Sequence, residues 1–332
     1  MRFWVEAELM SALPEILTFS DGRPITTLPE WQVRRGEIAE WLTGECFGAT
    51  PQATGRAESL GWDWYRIYAE SWPTATFMLR AYLPEGEGLH PCMIWADACW
   101  DGMTKEVMAD FNSRGIGVLA FNRLELAPDE PNLGVSGLRR ATADKGGPVP
   151  GAIACWAWGI SLVIDAAEKI SGVDPARLGV TGHSRGGKTA LLAGALDERL
   201  SVVCDNQSGC MGSASLLHIG EKGERLGDIV GNFPFWFSPE LAKWVGREEE
   251  MGFDLHHFKA MIAPRALLYT GSVDDLWANQ AGVEATHAEA AKVWSFLGSD
   301  QVPEMVWRKG EHGHWPEDFR VQAEFAARVW GL

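Results

Sequence analysis

Val180-Thr181-Gly182-His183-Ser184-Arg185-Gly186-Gly187-Lys188 decides the fold. A short apolar run with Leu178 and Val180 leads into Gly-x-Ser-x-Gly, and an Ala/Leu-rich stretch through Ala190, Leu191, Leu192, Ala193 and Ala195 leads out of it. Strand, Gly-x-Ser-x-Gly and helix in that order describe a nucleophile elbow. Its turn is so tight that Gly182 and Gly186 must lack a Cβ. The serine then stands at the carboxyl end of the strand. The free N–H groups of the following helix face any negative charge that develops there. This pattern predicts Ser184 as a nucleophile; the plain alternative is an ordinary strand–turn–helix.

A serine hydroxyl is a poor nucleophile until a base takes its proton, and the base needs a carboxylate on its other nitrogen. After an elbow the chain order is Ser, acid, His. Leu267-Leu-Tyr-Thr-Gly271 is an apolar run that ends before Asp274 and Asp275, where the acid belongs. Met305-Val-Trp-Arg-Lys-Gly310 then leads to His312 and His314. Either histidine suits the base by position, and His312 is preferred because it follows the strand end as Gly-x-His. Either aspartate could instead cap a turn, and both histidines could be surface residues. A metal reading of His-x-His lacks a third ligand cluster, so neither metal nor cofactor is expected. The backbone N–H of Arg185 suits an oxyanion donor, and its fixed charge could steady the same oxygen. The alternative is a surface arginine paired with a carboxylate. Lys188, one helical turn on, is expected near the pocket floor, unless it faces solvent.

Around this centre the chain alternates strand and helix. Apolar runs occur at Cys92–Ala96, Ile116–Phe121, Leu178–Thr181, Leu200–Asp205, Ala266–Thr270 and Glu304–Trp307. Helical stretches are expected over 104–113, 151–170, 187–197 and 281–297. That alternation implies a mostly parallel sheet covered on both faces. Residues 62–83 instead alternate with the period of antiparallel strands. Residues 29–42 read as a helix with proline in its first turn. The expected architecture is a single α/β-hydrolase domain over 1–332. It is a three-layer sandwich with a mostly parallel central sheet, antiparallel N-terminal strands, an N-terminal extension (1–60) and a cap-like insertion (211–258).

Composition narrows the partners. The 332 residues carry a formal net charge of −16, which argues against a phosphate-binding surface and so against nucleic acid. No apolar run approaches the roughly 18 residues of a membrane span, and no export signal is visible. A cytoplasmic location is expected if the chain is full length, and a secreted or periplasmic one if it was trimmed. Six cysteines lie far apart without Cys-x-x-Cys, as small buried hydrophobes would. Seventeen tryptophans against four tyrosines leave some indoles to line a sugar cleft. A monomer is expected.

Several blocks between about 150 and 320 resemble the glucuronoyl esterases, carbohydrate esterase family 15. They are Trp156-Ala-Trp-Gly159, Asp174 through Lys188, Asn206-Gln-Ser-Gly209, Gly223-Glu224, Asn232-Phe-Pro-Phe-Trp-Phe237, Asp254 through Arg265, and Asp275-Leu-Trp277-Ala-Asn279. Trp31-Gln-Val-Arg-Arg35 is similar to the family's entry helix. The resemblance implies a serine esterase acting on small or oligosaccharide uronate esters, with Ser184 as nucleophile, Arg185 at the oxyanion and His312 as base. Lys188, Glu224 and Trp277 fall on positions that resemble contacts to the uronic acid ring, and Gln207 is grouped with them. Asp275, two residues before Trp277, resembles the acid of some bacterial members. Many members carry a catalytic Glu 23 residues after the nucleophile, where this chain has Gln207. An arginine common upstream of the Gly-Glu block is absent, with His218 in that region. The acid role then falls to Asp275. Two other readings remain: a carbohydrate acetyl or feruloyl esterase with the same triad, and a weakly active carbohydrate-binding relic.

Overall fold

The computed structural model describes residues 13–131, 138–139 and 149–332; residues 1–12 of the expected extension lie outside the described residues. Its frame is one nine-stranded sheet ordered β1-β2-β3-β5-β4-β6-β7-β8-β9. The strands are β1 (Gly55–Gly61), β2 (Trp64–Ala69), β3 (Trp72–Tyr82), β4 (His90–Trp95), β5 (Gly117–Phe121), β6 (Val173–His183), β7 (Leu200–Asn206), β8 (Ala266–Ser272) and β9 (Glu304–Arg308). β1, β2 and β3 pair antiparallel, and β3 joins β5 the same way. From β5 through β4 to β9 every pairing is parallel. This is the expected α/β-hydrolase sandwich.

The helices are α1 (Leu28–Glu40), α2 (Lys105–Ser113), α3 (Ala152–Ala166), α4 (Arg185–Leu196), α5 (Leu226–Asn232), α6 (Leu255–Ala260), α7 (Gln280–Phe296) and α8 (Pro316–Trp330). Successive strand residues point to opposite faces, so one strand feeds two cores. Met93 and Trp95 of β4 pack with Val107 and Phe111 of α2 and Phe319 and Ala323 of α8. Cys92 and Ile94 pack instead with α3 and α4. α3 is apolar apart from Ser161 and Asp165 and is almost wholly buried, which is why Trp156 can seal the core beneath the site.

The sequence boundaries shift only at element ends. The 151–170 stretch is α3 plus a 3₁₀ turn over Ala167–Lys169. The 29–42 stretch starts one residue earlier, because Thr27 and Glu30 form a capping box with Pro29 in the first turn. It then continues as a π-helical turn over Trp41–Cys46. The 211–258 insertion is built of short helical turns around Phe235, Trp236 and Phe237 rather than a separate layer. The six cysteines are free, all buried except the half-buried Cys99.

β1 lies directly on α3: a Cβ at Gly55 would stand 2.1 Å from the Leu162 carbonyl oxygen. Backbone cannot step aside as a side chain can. Gly55→Ala is therefore expected to lower stability by about 1–3 kcal/mol or more, read as a lower urea midpoint with an unchanged slope.

Candidate active site

The parallel strands all end on one side, and strand order reverses beside β4, leaving a crevice there. Ser184 sits at that point, between β6 and α4, with φ 55° and ψ −117°. A non-glycine residue held there stores about 1–3 kcal/mol of strain. Close contacts keep it in place. A Cβ at Gly182 would lie 2.1 Å from the Gly186 carbonyl, and one at Gly186 would lie 2.1 Å from Asp97 Oδ2. The Ser184 N–H donates to the Asn206 carbonyl at 2.8 Å, which ties the elbow to the end of β7.

Asp275 and His312 come together across two loops. His312 Nδ1 lies 2.6 Å from Asp275 Oδ2. Asp275 also accepts from the Ala278 N–H, as the cap of a 3₁₀ turn over Leu276–Ala278. Burial pushes this carboxyl up, but the hydrogen bond and charge of His312 outweigh it and hold Asp275 below the usual range. The His312 ring is 4.5 Å from the ring of His183, the residue before Ser184. Among the described residues the Ser184 hydroxyl makes no hydrogen bond with His312. In ligand-free sites that bond is often long and tightens when substrate binds.

The two alternatives separate physically. Asp274 Oδ2 accepts from the Gly310 N–H at 2.8 Å, as a turn residue bracing the histidine loop. His314 stacks on Phe319 at 3.6 Å and faces Gln322, and burial holds its pKa far below that of a free imidazole.

Arg185 is partly exposed, and its Nη1 donates to Asp129 Oδ2 at 2.7 Å. Its guanidinium lies 4.7 Å from the Trp236 ring centre, and the Trp236 indole N–H donates to the other Asp129 oxygen at 2.7 Å. Arg185 is thus the carboxylate-paired arginine of the plain reading, yet it stays beside the nucleophile. Lys188 is buried, and its ammonium donates to the Ser208 carbonyl. Burial lowers its pKa and raises that of Glu224, each opposed by the other's charge. The Glu224 N–H donates to the Trp277 carbonyl at 3.0 Å, while the Trp277 indole stays half exposed. Lys188 and Glu224 are therefore a buried, charge-coupled pair, with Trp277 joined to Glu224 through the backbone.

Gln207 corrects the sequence reading. It does not face substrate space. Its side chain is buried, with Nε2 donating to Asp275 Oδ2 at 2.8 Å and Oε1 accepting from Arg308 Nη2 at 3.0 Å and the Gly313 N–H at 3.1 Å. Both ends of the amide are engaged behind the acid.

Four neighbours escaped the sequence reading. Asp97 accepts from the His183 N–H at 3.0 Å and pairs with the fully buried Arg123 at 3.0 Å. The Arg123 guanidinium lies 4.5 Å from the ring centres of both Trp100 and Trp156. Asp129 closes the group. Asp97, Trp100, Arg123 and Asp129 sit in no motif, whereas Trp156 lies in the Trp156–Gly159 block. The one available signal was position, since Asp97 lies two residues past the end of β4. Among the described residues no cluster of three or more His, Cys, Asp or Glu could hold a metal ion. No helix there is long and apolar enough to cross a membrane.

A sequence model of the fungal glucuronyl esterases matches residues 71–298. The chain belongs to the glucuronyl esterase family. It is 31% identical over 301 residues to a 4-O-methyl-glucuronoyl methylesterase of Podospora anserina, covering 86% of this chain and 60% of that one. A protein of the same name from Schizophyllum commune is 29% identical over 336 residues, 92% of this chain and 79% of that one. Among solved structures, a carbohydrate esterase family 15 glucuronoyl esterase from Caldicellulosiruptor kristjansonii has a TM-score of 0.87 at 26% identity, covering 97% of this chain and 92% of the other.

The buried imidazoles have a consequence for stability. Burial lowers His183 from 6.5 to about 3, and puts His314 well below 6.5 too. The folded state keeps these rings neutral where the unfolded chain protonates them, so acid favours unfolding. Their contribution to stability is complete above about pH 6.5 and is lost as pH falls toward 3. Urea midpoints are expected to fall between about pH 7 and about pH 4.5; a rise over that interval would contradict the burial argument.

Proposed function

We propose that the chain is a serine esterase that hydrolyses esters of glucuronic acid, of the 4-O-methyl-glucuronoyl type that joins lignin to carbohydrate, through an acyl-enzyme on Ser184. The observation that carries this reading is the 2.6 Å His312–Asp275 pair, set beside a strained serine at the end of β6. With Nδ1 engaged by Asp275, the other nitrogen of His312 is the one available to take the Ser184 proton. Ser184 then attacks the ester carbonyl. The first N–H groups of α4, with the Arg185 guanidinium, hold the oxyanion. His312 returns the proton to the departing alcohol. Water, activated by the same imidazole, then cleaves the acyl-enzyme and releases glucuronate.

Ring recognition falls to Lys188 and Glu224, which offer a cation and an acceptor side by side, and to Trp277, whose exposed indole face suits the C–H surface of a pyranose. A buried polar group left unpaired costs about 1–3 kcal/mol, so a ligand without matching hydroxyls is disfavoured in such a pocket. Every residue named belongs to one chain, which supports a site that is complete in a monomer.

Ser184→Ala is expected to reduce kcat/KM on methyl or benzyl glucuronate by about 10⁴-fold or more and to abolish labelling by a fluorophosphonate. Lys188→Ala is expected to erase the preference for glucuronate esters over acetylated sugars with matched leaving groups. Wild-type protein that cleaves the acetyl sugars and leaves the glucuronate esters intact would remove the substrate assignment and keep the serine mechanism.

A further inference from the structure

We infer that Gln207 is a positioning residue for the acid–base pair: a buried amide clamp that fixes Asp275 and the histidine loop in one arrangement. The inference rests on the triad reading above. It is carried by the direction of each hydrogen bond around the amide. Oε1 accepts from two groups that can only donate, Arg308 Nη2 at 3.0 Å and the Gly313 N–H at 3.1 Å. The NH₂ end must therefore face Asp275, and Nε2 lies 2.8 Å from the same Oδ2 that meets His312. One side chain thus touches the acid and the residue after the base, and reaches the end of β9 through Arg308.

The backbone supports the same role. Gln207 has φ 48°, a region that favours glycine, yet a long side chain is retained there. Its own N–H donates to the Thr270 carbonyl of β8 at 3.1 Å. Arg308 is in turn held by Asp318 of α8 through two contacts, at 3.0 Å and 2.8 Å. The clamp is anchored to the sheet on one side and to a helix on the other.

The chemistry explains why an amide suits this place. Asp275 is already ionised by its partner His312. A second carboxylate at 2.8 Å would repel it and could not donate the hydrogen bond that orients it. An amide donates instead, so Asp275 keeps its charge and its orientation. The ionisable groups facing this cluster are Arg308 and Asp318 from β9 and α8, Tyr269 from β8, His183 from the end of β6, His314 from the histidine loop, and Glu224 from the insertion.

The test compares Gln207→Glu and Gln207→Met with wild type on methyl glucuronate, with Asp275→Asn alongside. Gln207→Met removes the clamp without adding charge. It is expected to lower kcat by about 10- to 100-fold with little change in KM, as a misplaced catalytic group does. Gln207→Glu nearly preserves shape and adds negative charge beside Asp275. That charge stabilises the His312 imidazolium, so the acidic limb of the pH–kcat/KM profile moves to higher pH. An unchanged kcat and an unmoved acidic limb in both folded variants, with Asp275→Asn inactive, would overturn the clamp and leave the triad standing. An Asp275→Asn protein with wild-type kcat would overturn both.

Discussion

The ion pair between Asp97 and Arg123 is the interaction on which the rest of the site depends. Both side chains are buried, and removing one partner of such a pair leaves a charge that costs about 3–5 kcal/mol. Asp97 also accepts from the His183 N–H and occupies the space a Cβ at Gly186 would need. The elbow is therefore pressed against a carboxylate, and that carboxylate is fixed by an arginine. Arg123 lies between Trp100 and Trp156, where the ring faces offset part of its lost hydration. A strained serine survives only where its surroundings over-determine it. Here the surroundings are two glycines, a buried ion pair and two indoles.

The same network reaches outward. Asp129 lies 3.5 Å from Arg123 and 2.7 Å from Arg185, and it accepts the Trp236 indole N–H. Trp236 belongs to the insertion, and stacks on Phe233 at 3.9 Å. One carboxylate thus couples the core arginine, the arginine beside the nucleophile and the insertion that covers them. Two arginines and two aspartates balance in charge, so the protein can hold a guanidinium next to Ser184 at low cost.

Those parts of the site that follow chain geometry were legible in the sequence. Gly182, Ser184 and Gly186 have a spacing that a turn requires, and Asp275 and His312 follow strands whose ends a parallel sheet brings together. The antiparallel start and parallel remainder of the sheet were legible for the same reason, since periodicity is local. Asp97, Arg123 and Asp129 were not, because each is a single charged residue in a loop whose partner is set by tertiary packing. Gln207 was misread for a related reason. Its alignment with a catalytic Glu placed it in the site, but only the positions of Arg308, Gly313 and Asp275 determine which way its amide faces. The C-terminal helix α8 was passed over, although it supplies Phe319 beneath His314 and Asp318 behind Arg308.

The Lys188 cation is held by a layer of buried polar groups. Lys188 donates to the carbonyl of Ser208, and the Ser208 hydroxyl donates to Asp205 at 2.7 Å. Asp205 is fully buried, takes a second hydroxyl from Ser213, and feels the charges of Lys259 and Lys188. Burial raises the Asp205 pKa, and these donors and cations oppose that rise. Lys259 is itself buried and lowered to about 7, so each ion depends on the other for its charge. An ammonium fixed through such a layer has little freedom to follow a ligand. Its position is set by this buried layer, whereas the Trp277 indole stands half exposed. If Lys188 and Trp277 hold the ring as proposed, selectivity for the ring follows from the buried cation and tolerance for the attached alcohol from the exposed indole.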